Sequence, residues 1–170
     1  MATKRYLNII SGILQQVIAT VVSSGVSNAG DIVALDDTGK LDMTLMPSGV
    51  GANTGTATAS EAIGARDLVN VYDDDGTTKV RKADASVSGK EANGFCPSAF
   101  AESATATIYY GGQITGLTGL TAGEYYLSDD TPGGITLTPP SDAGHIVQAI
   151  GNAVSATALN FEPDRPVLLA

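Results

Sequence analysis

The stretch 116–161, GLTGLTAGEYYLSDDTPGGITLTPPSDAGHIVQAIGNAVSATALNF, sets short runs of alternating apolar residues between Gly, Pro, Asp and Ser. An apolar period of two marks a half-buried strand, and the punctuating residues supply turn conformations. Proline cannot donate to a ladder, so Pro139-Pro140 ends a strand. A chain written this way is predicted to be mainly β. Its turns recur at the spacing of a small antiparallel β-barrel or sandwich. The stretch holds almost no reactive chemistry, so contact and assembly are the functions to expect.

Further strands follow from the same signals. Residues 67–72 (DLVNVY) and 77–82 form a predicted hairpin across Asp73-Asp74-Asp75-Gly76. Others are expected at 92–100 around Phe95, at 104–110, at 124–128 and at 135–138. A last pair, 145–150 and 156–161, turns across Gly151-Asn152-Ala153. Together these make 56–170 the globular domain.

Residues 1–55 read differently and form a predicted arm for oligomerisation or attachment. Leu7, Ile10, Leu14, Val17 and Val21 recur at spacings of three and four, the seam of an amphipathic helix. A helix this short does not hold in water alone. It must pack on its own domain or on copies of itself, and the β-branched content also admits a strand or extended arm. Lys4 and Arg5 before an apolar run look like a signal peptide, but Asn8, Ser11, Gln15 and Gln16 interrupt it. Beyond it come the apolar run containing Ile32 and Leu35, a turn at Asp36-Asp37-Thr38-Gly39, and a strand expected through Leu41, Met43 and Leu45. Pro47 ends that strand, and 48–55 reads as a linker.

Composition narrows the function classes. Of the formal net charge of −9, little is offset after residue 100, where Arg165 is the one basic residue. Such a surface repels nucleic-acid phosphates and anionic membranes, so neither is an expected partner. Aromatic residues make up 5 % and Trp is absent, so the core must rest on Val, Ile, Leu and Ala. The single cysteine, Cys96, cannot form an intrachain disulfide and reads as a small buried apolar side chain.

Motifs that invite chemistry are better read as structure. Asp73-Asp74-Asp75-Gly76 lacks the ligand spacing of a calcium loop, and Lys79, Arg81 and Lys82 oppose a cation. His145 is the one histidine and has no nucleophile elbow near it. Asp129-Asp130 sit in a turn, where burial is scarce. Gly111-Gly112 and Gly133-Gly134 lack the helix and Lys of a phosphate loop. In Tyr109-Tyr110 and Tyr125-Tyr126, one ring of each pair is expected in the core and one at the surface. No catalytic residue, metal or cofactor is expected.

Two stretches carry a resemblance. Residues 30–47, GDIVALDDTGKLDMTLMP, are similar to segments of phage fibre and virion proteins. Residues 117–161, with LTAGEYYLS, PGGIT and VQAIGNAVS, resemble modules of phage capsid and tail-associated proteins. The chain thus resembles structural proteins of tailed bacteriophages, most of all capsid decoration (cement) proteins. The resemblance implies a non-enzymatic protein on the outer capsid surface of the virion, assembled in the host cytoplasm. It further implies the major capsid protein and itself, as a homotrimer, as partners. Leu7, Ile10, Leu14, Val17, Val21, Ile32, Leu35, Leu41, Met43 and Leu45 are the candidate interface residues. The alternative is a tail fibre or baseplate module that recognises a host surface glycan.

Overall fold

The computed structural model describes residues 4–46 and 52–170. The chain is mainly β and divides into two compact units, Met1–Gly51 and Ala52–Ala170.

In the first unit, β1 (Arg5–Ile10) and β2 (Ile13–Ile18) pair antiparallel from Arg5↔Ile18 to Ile10↔Ile13. Ser11 and Gly12 join them with φ of 51° and 81°. Two successive positive φ values give the hairpin turn whose twist matches the strands. The helix expected over 7–21 is therefore not formed. Spacings of three and four also arise when two strands fold back on a Ser-Gly turn. Ile9, Ile10, Ile13, Val17 and Ile18 are β-branched and favour the extended form.

The rest of this unit is irregular. A parallel bridge joins Thr20 to Val33, and 3-10 turns occupy Gly25–Asn28 and Met43–Leu45. The strand expected through Leu41, Met43 and Leu45 is corrected to the second of these turns. Asp42 Oδ1 accepts from Thr44 N at 2.9 Å and from Thr44 Oγ1 at 2.6 Å, which curls the backbone. The turn at Asp36 has the expected form: Asp36 Oδ1 accepts from the amides of Thr38 and Lys40 at 2.8 and 2.9 Å. Pro47 and residues 48–51 lie outside the described residues.

The second unit opens with a strand that overlaps only the end of the expected linker 48–55. Strands β3 (Thr54–Ala59), β4 (Leu68–Asp74), β5 (Thr77–Lys82), β6 (Gly94–Phe95) and β7 (Thr105–Tyr109) close a barrel in the order β3-β5-β4-β6-β7. β3 lies antiparallel to β7 and parallel to β5, so the barrel is not purely antiparallel. Beside it, β8 (Gly112–Thr115), β9 (Glu124–Leu127), β10 (Ile135–Thr136), β12 (Ala149–Ser155) and β13 (Ala158–Phe161) form an open sheet ordered β10-β9-β12-β13-β8. β11 (Ile146–Val147) pairs with β14 (Val167–Leu168).

Adjacent residues of the barrel wall feed two cores. Val69, Val80, Cys96, Ala106 and Ile108 fill the barrel. Leu68 and Phe95, the neighbours of Val69 and Cys96, turn toward the sheet and pack with Leu127, Ile150, Leu159 and Phe161. The period of two in a strand puts successive side chains on opposite faces, so one wall serves both cores. The turn expected at Gly151-Asn152-Ala153 is corrected: these residues lie inside β12, and the chain reverses after Ser155. Gly151 instead serves a bulge against β9.

Candidate assembly surface

In β1–β2, alternation sorts the side chains onto two faces. One face carries Arg5, Leu7, Ile9, Leu14, Gln16 and Ile18; the other carries Tyr6, Asn8, Ile10, Ile13, Gln15 and Val17. On the first face Leu7, Ile9, Leu14 and Ile18 are 59–68 % exposed. Arg5 Nη1 donates to Gln16 Oε1 at 2.7 Å across that face. On the second, Tyr6 and Val17 are half-buried and the strand ends at Ile10 and Ile13 are exposed. A two-stranded hairpin alone is marginal in water, and this one leaves its better apolar face open. Covering what these four side chains leave exposed contributes roughly 4–8 kcal/mol, taking about 1.5–3 kcal/mol for each full burial and scaling by the exposed fraction.

The remainder of residues 4–46 repeats the pattern. Fourteen of the nineteen large apolar side chains exposed among the described residues lie here, Val26 being 93 % exposed. Ala19 is the one buried apolar residue among the described residues of this unit. What holds the segment together is polar. Thr20 Oγ1 and Asn28 Nδ2 donate to Asp31 Oδ2 at 2.6 and 2.9 Å. The Ser23 amide donates to Thr44 Oγ1 at 2.8 Å. Lys4 Nζ donates to the carbonyls of Leu35 and Asp36, the latter at 2.7 Å, and lies 3.9 Å from Asp37 Oδ1. The segment has almost no apolar interior: hydrogen bonds that are mostly exposed hold it, and its large apolar side chains face solvent.

These bonds also set the charges. The Thr20 hydroxyl, then Asn28, hold the Asp31 carboxyl below its ordinary range. The Lys40 amide, then the Thr38 hydroxyl, do the same for Asp36, and the Thr44 hydroxyl and amide for Asp42. Lys4, Arg5 and Lys40 stand against Asp31, Asp36, Asp37 and Asp42, so this unit is nearly neutral. Eight of the nine net negative charges fall on 52–170.

The expected interface residues are thus redistributed. Leu7 and Leu14 share one hairpin face, Ile10 and Val17 the other, and Val21 lies beyond β2, partly buried. The seam does not exist as a line. Ile32, Leu35, Leu41 and Met43 are exposed, and Leu45 is partly buried. The helical pattern passed over Ile9, which with Ile18 completes the open face. The alternation within 5–10 and 13–18 was the signal for them.

On the second unit, the residues that invited chemistry are held in structure. His145 Nδ1 lies 3.0 Å from Asp129 Oδ2, and the His145 backbone carbonyl accepts from Leu169 N at 2.9 Å. Asp73 and Asp74 belong to β4, and the two-residue turn is Asp75-Gly76 with φ of 50° and 83°. Asp74 pairs with Lys79 at 2.5 Å and raises the ammonium's pKa by that hydrogen bond. Tyr125 is buried and Tyr126 half-buried, its hydroxyl donating to Glu124 Oε2 at 2.5 Å. Tyr109 and Tyr110 are both half-buried, packed against the sheet core and the barrel core respectively. No group of three or more His, Cys, Asp or Glu among the described residues is placed to hold a metal.

One cleft escaped the sequence reading. It encloses about 550 Å3, with Arg66, Asp67, Leu117, Tyr125 and Ile135 among its walls. Arg66 has a φ of 73°, a conformation uncommon outside glycine. Its Nε donates to the Thr115 carbonyl at 2.9 Å, which lays the guanidinium along β8.

Comparison of the chain with protein-family models, curated proteins and solved structures found no match.

Proposed function

We propose that this chain is a non-enzymatic structural protein that decorates the outer surface of a phage head and reinforces it. Residues 4–46 attach it to the major capsid protein and to its own copies, as a trimer, and the acidic domain faces solvent. The observation that carries this reading is the exposure of the first unit's large apolar side chains. A segment with Ala19 as the one buried apolar residue among its described residues and Leu7, Ile9, Leu14, Val26 and Met43 exposed is complete only against a partner. The resemblance of 30–47 and 117–161 to phage structural proteins supports the choice of partner. The concentration of negative charge on 52–170 keeps that unit soluble and off the shell's own contacts.

The mechanism is linkage. A protein that spans neighbouring subunits binds the assembled lattice and not the dissociated one, so it stabilises the lattice. Three linked attachment segments multiply weak contacts through effective concentration. The test is the loss of packaged DNA from heads on heating or osmotic shock. Heads carrying the protein are expected to release DNA at higher temperature than heads lacking it. Equal release removes the reinforcing role.

The cleft at Arg66 favours a second reading, a tail fibre or baseplate module that binds a host surface glycan. A guanidinium, a carboxylate and apolar walls in one recess suit a sugar. Specific binding on a glycan array, abolished by Arg66→Ala and accompanied by no affinity for heads, is the outcome that selects it.

A further inference from the structure

In β1–β2 the open apolar face and the open backbone belong to the same residues. Ala19 N donates to the Lys4 carbonyl at 2.9 Å, and the register pairs Tyr6 with Val17, Asn8 with Gln15 and Ile10 with Ile13. In an antiparallel ladder every second pair exchanges hydrogen bonds, so these pairs close the hairpin. The amides and carbonyls of Arg5, Leu7 and Ile9 then point away from it on one edge, and those of Leu14, Gln16 and Ile18 on the other. Among the described residues no further strand flanks either edge, and the one bridge on the β2 side, Thr20 to Val33, lies beyond Ile18.

We infer that the hairpin is covered by further copies of this chain: three hairpins join edge to edge, β1 of one beside β2 of the next, and close a six-stranded antiparallel barrel. Leu7, Ile9, Leu14 and Ile18 of each copy fill its interior. The inference rests on the trimeric reading given above and assigns the hairpin its occupant.

Three considerations select a second copy over a different cover. A flat surface of another protein hides the apolar side chains but leaves both edges unpaired, whereas an extended strand satisfies them. The two edges differ, so β1-to-β2 pairing is head-to-tail, and a head-to-tail contact that closes makes a ring. Two copies supply only four strands, fewer than the five-stranded barrel this same chain closes; three copies are the smallest ring to exceed it. Polarity agrees, since Asn8 and Gln15 turn outward while the inner face is apolar apart from Arg5 and Gln16, already bonded to each other. Charge agrees too, because this unit is nearly neutral and the hairpins themselves meet with little net charge.

The area suffices. A hairpin of six-residue strands is about 20 Å long and about 10 Å wide and thick. One face and two edges therefore bury on the order of 600 Å2 per copy. A copy leaving the ring uncovers about twice that, counting its neighbours, or roughly 1,200 Å2, the lower bound for stable interfaces.

The test uses the full chain in analytical ultracentrifugation together with amide hydrogen exchange. The native protein is expected to be a trimer with the amides of Leu7, Ile9 and Gln16 protected. Gln16→Pro deletes one outward N–H and leaves the bonds within the hairpin intact; Gln16→Ala keeps that N–H. Leu14→Glu charges the interior without touching the backbone. Gln16→Pro and Leu14→Glu are expected to weaken the trimer at least 100-fold and expose those amides, while Gln16→Ala stays trimeric. An unchanged melting temperature of the 52–170 domain shows that each variant keeps its folded body, and the protected amides of Tyr6 and Asn8, bonded within the hairpin, show that the hairpin itself still forms. A trimer that survives both disruptive variants, or rapid exchange at Leu7 and Gln16 in the native trimer, overturns the barrel and leaves head attachment standing. Native protein that forms the barrel yet fails to protect heads overturns the attachment instead.

Discussion

The Phe161 ring stands edge-on to Phe95, with centroids 5.4 Å apart and planes at 70°. Phe95 belongs to the barrel strand β6 and Phe161 to the sheet strand β13. The pair therefore joins barrel to sheet, and Tyr109 extends it at 5.6 Å from Phe95. Phe161→Ala removes a fully buried ring from this junction and is expected to cost about 3–5 kcal/mol. Urea denaturation of the 52–170 domain measures it. A loss under about 1 kcal/mol would mean that the two cores do not depend on this contact.

Gly151 is a position where no side chain fits. A Cβ there would lie 1.9 Å from the Asn160 carbonyl oxygen, and φ is 138°. Gly151→Ala must push β12 from β13 and distort the bulge against β9. The expected destabilisation is about 3 kcal/mol, combining overpacking with backbone strain. Thermal melting of the purified variant gives the value, and a melt equal to the parent refutes the close approach.

Cys96 is expected to be inert. Burial first, and the nearby Asp67 second, push its thiol up to about 11, and the thiolate is the reacting species. At pH 8 the native protein should resist a thiol reagent, and labelling should follow unfolding in denaturant. Labelling of the native protein at the rate of a free thiol would contradict the enclosed barrel core.

The first unit is expected to loosen in acid. Asp31, Asp36 and Asp42 are lowered from an ordinary carboxyl value of 3.8 by hydrogen bonds that exist only when the segment is folded. As pH falls, the unfolded carboxyls take up protons first, so stability is present above that value and is lost as pH drops through the lowered ones. Limited proteolysis of residues 4–46 should therefore accelerate below about pH 4. Asp36→Asn should make cleavage faster at neutral pH, and a pH-independent rate would show that these carboxylates do not hold the segment.

The turns of the second unit were largely legible, because Asp75-Gly76 and the Pro132-Gly133-Gly134 run have one natural use each. Leu68 to Tyr72 read as a strand because Leu, Val and Tyr crowd a short run that the Asp73-to-Gly76 turn signal bounds. β3 was not legible. Its residues, TGTATA, are small, and Ala57 and Ala59 are buried only because the barrel closes tightly around them. Gly151-Asn152 has the composition of a turn but serves a close approach within a strand, which only the neighbouring β13 reveals. In the first unit, Leu7, Ile10, Leu14 and Val17 satisfy a helical stripe and a folded pair of strands alike. The Ser11-Gly12 dipeptide decides between them, since both residues take positive φ. The need for a covered face was legible in either form; which side chains share that face was not.

β3 begins at Thr54 and is bonded to β7 along one side and β5 along the other. A pull along the chain from residue 51 enters the domain at this strand. It must then slide β3 past two neighbours at once, loading their ladder bonds together in shear rather than peeling them off one at a time. The domain therefore resists a force applied at its first strand more than a peeling geometry would allow.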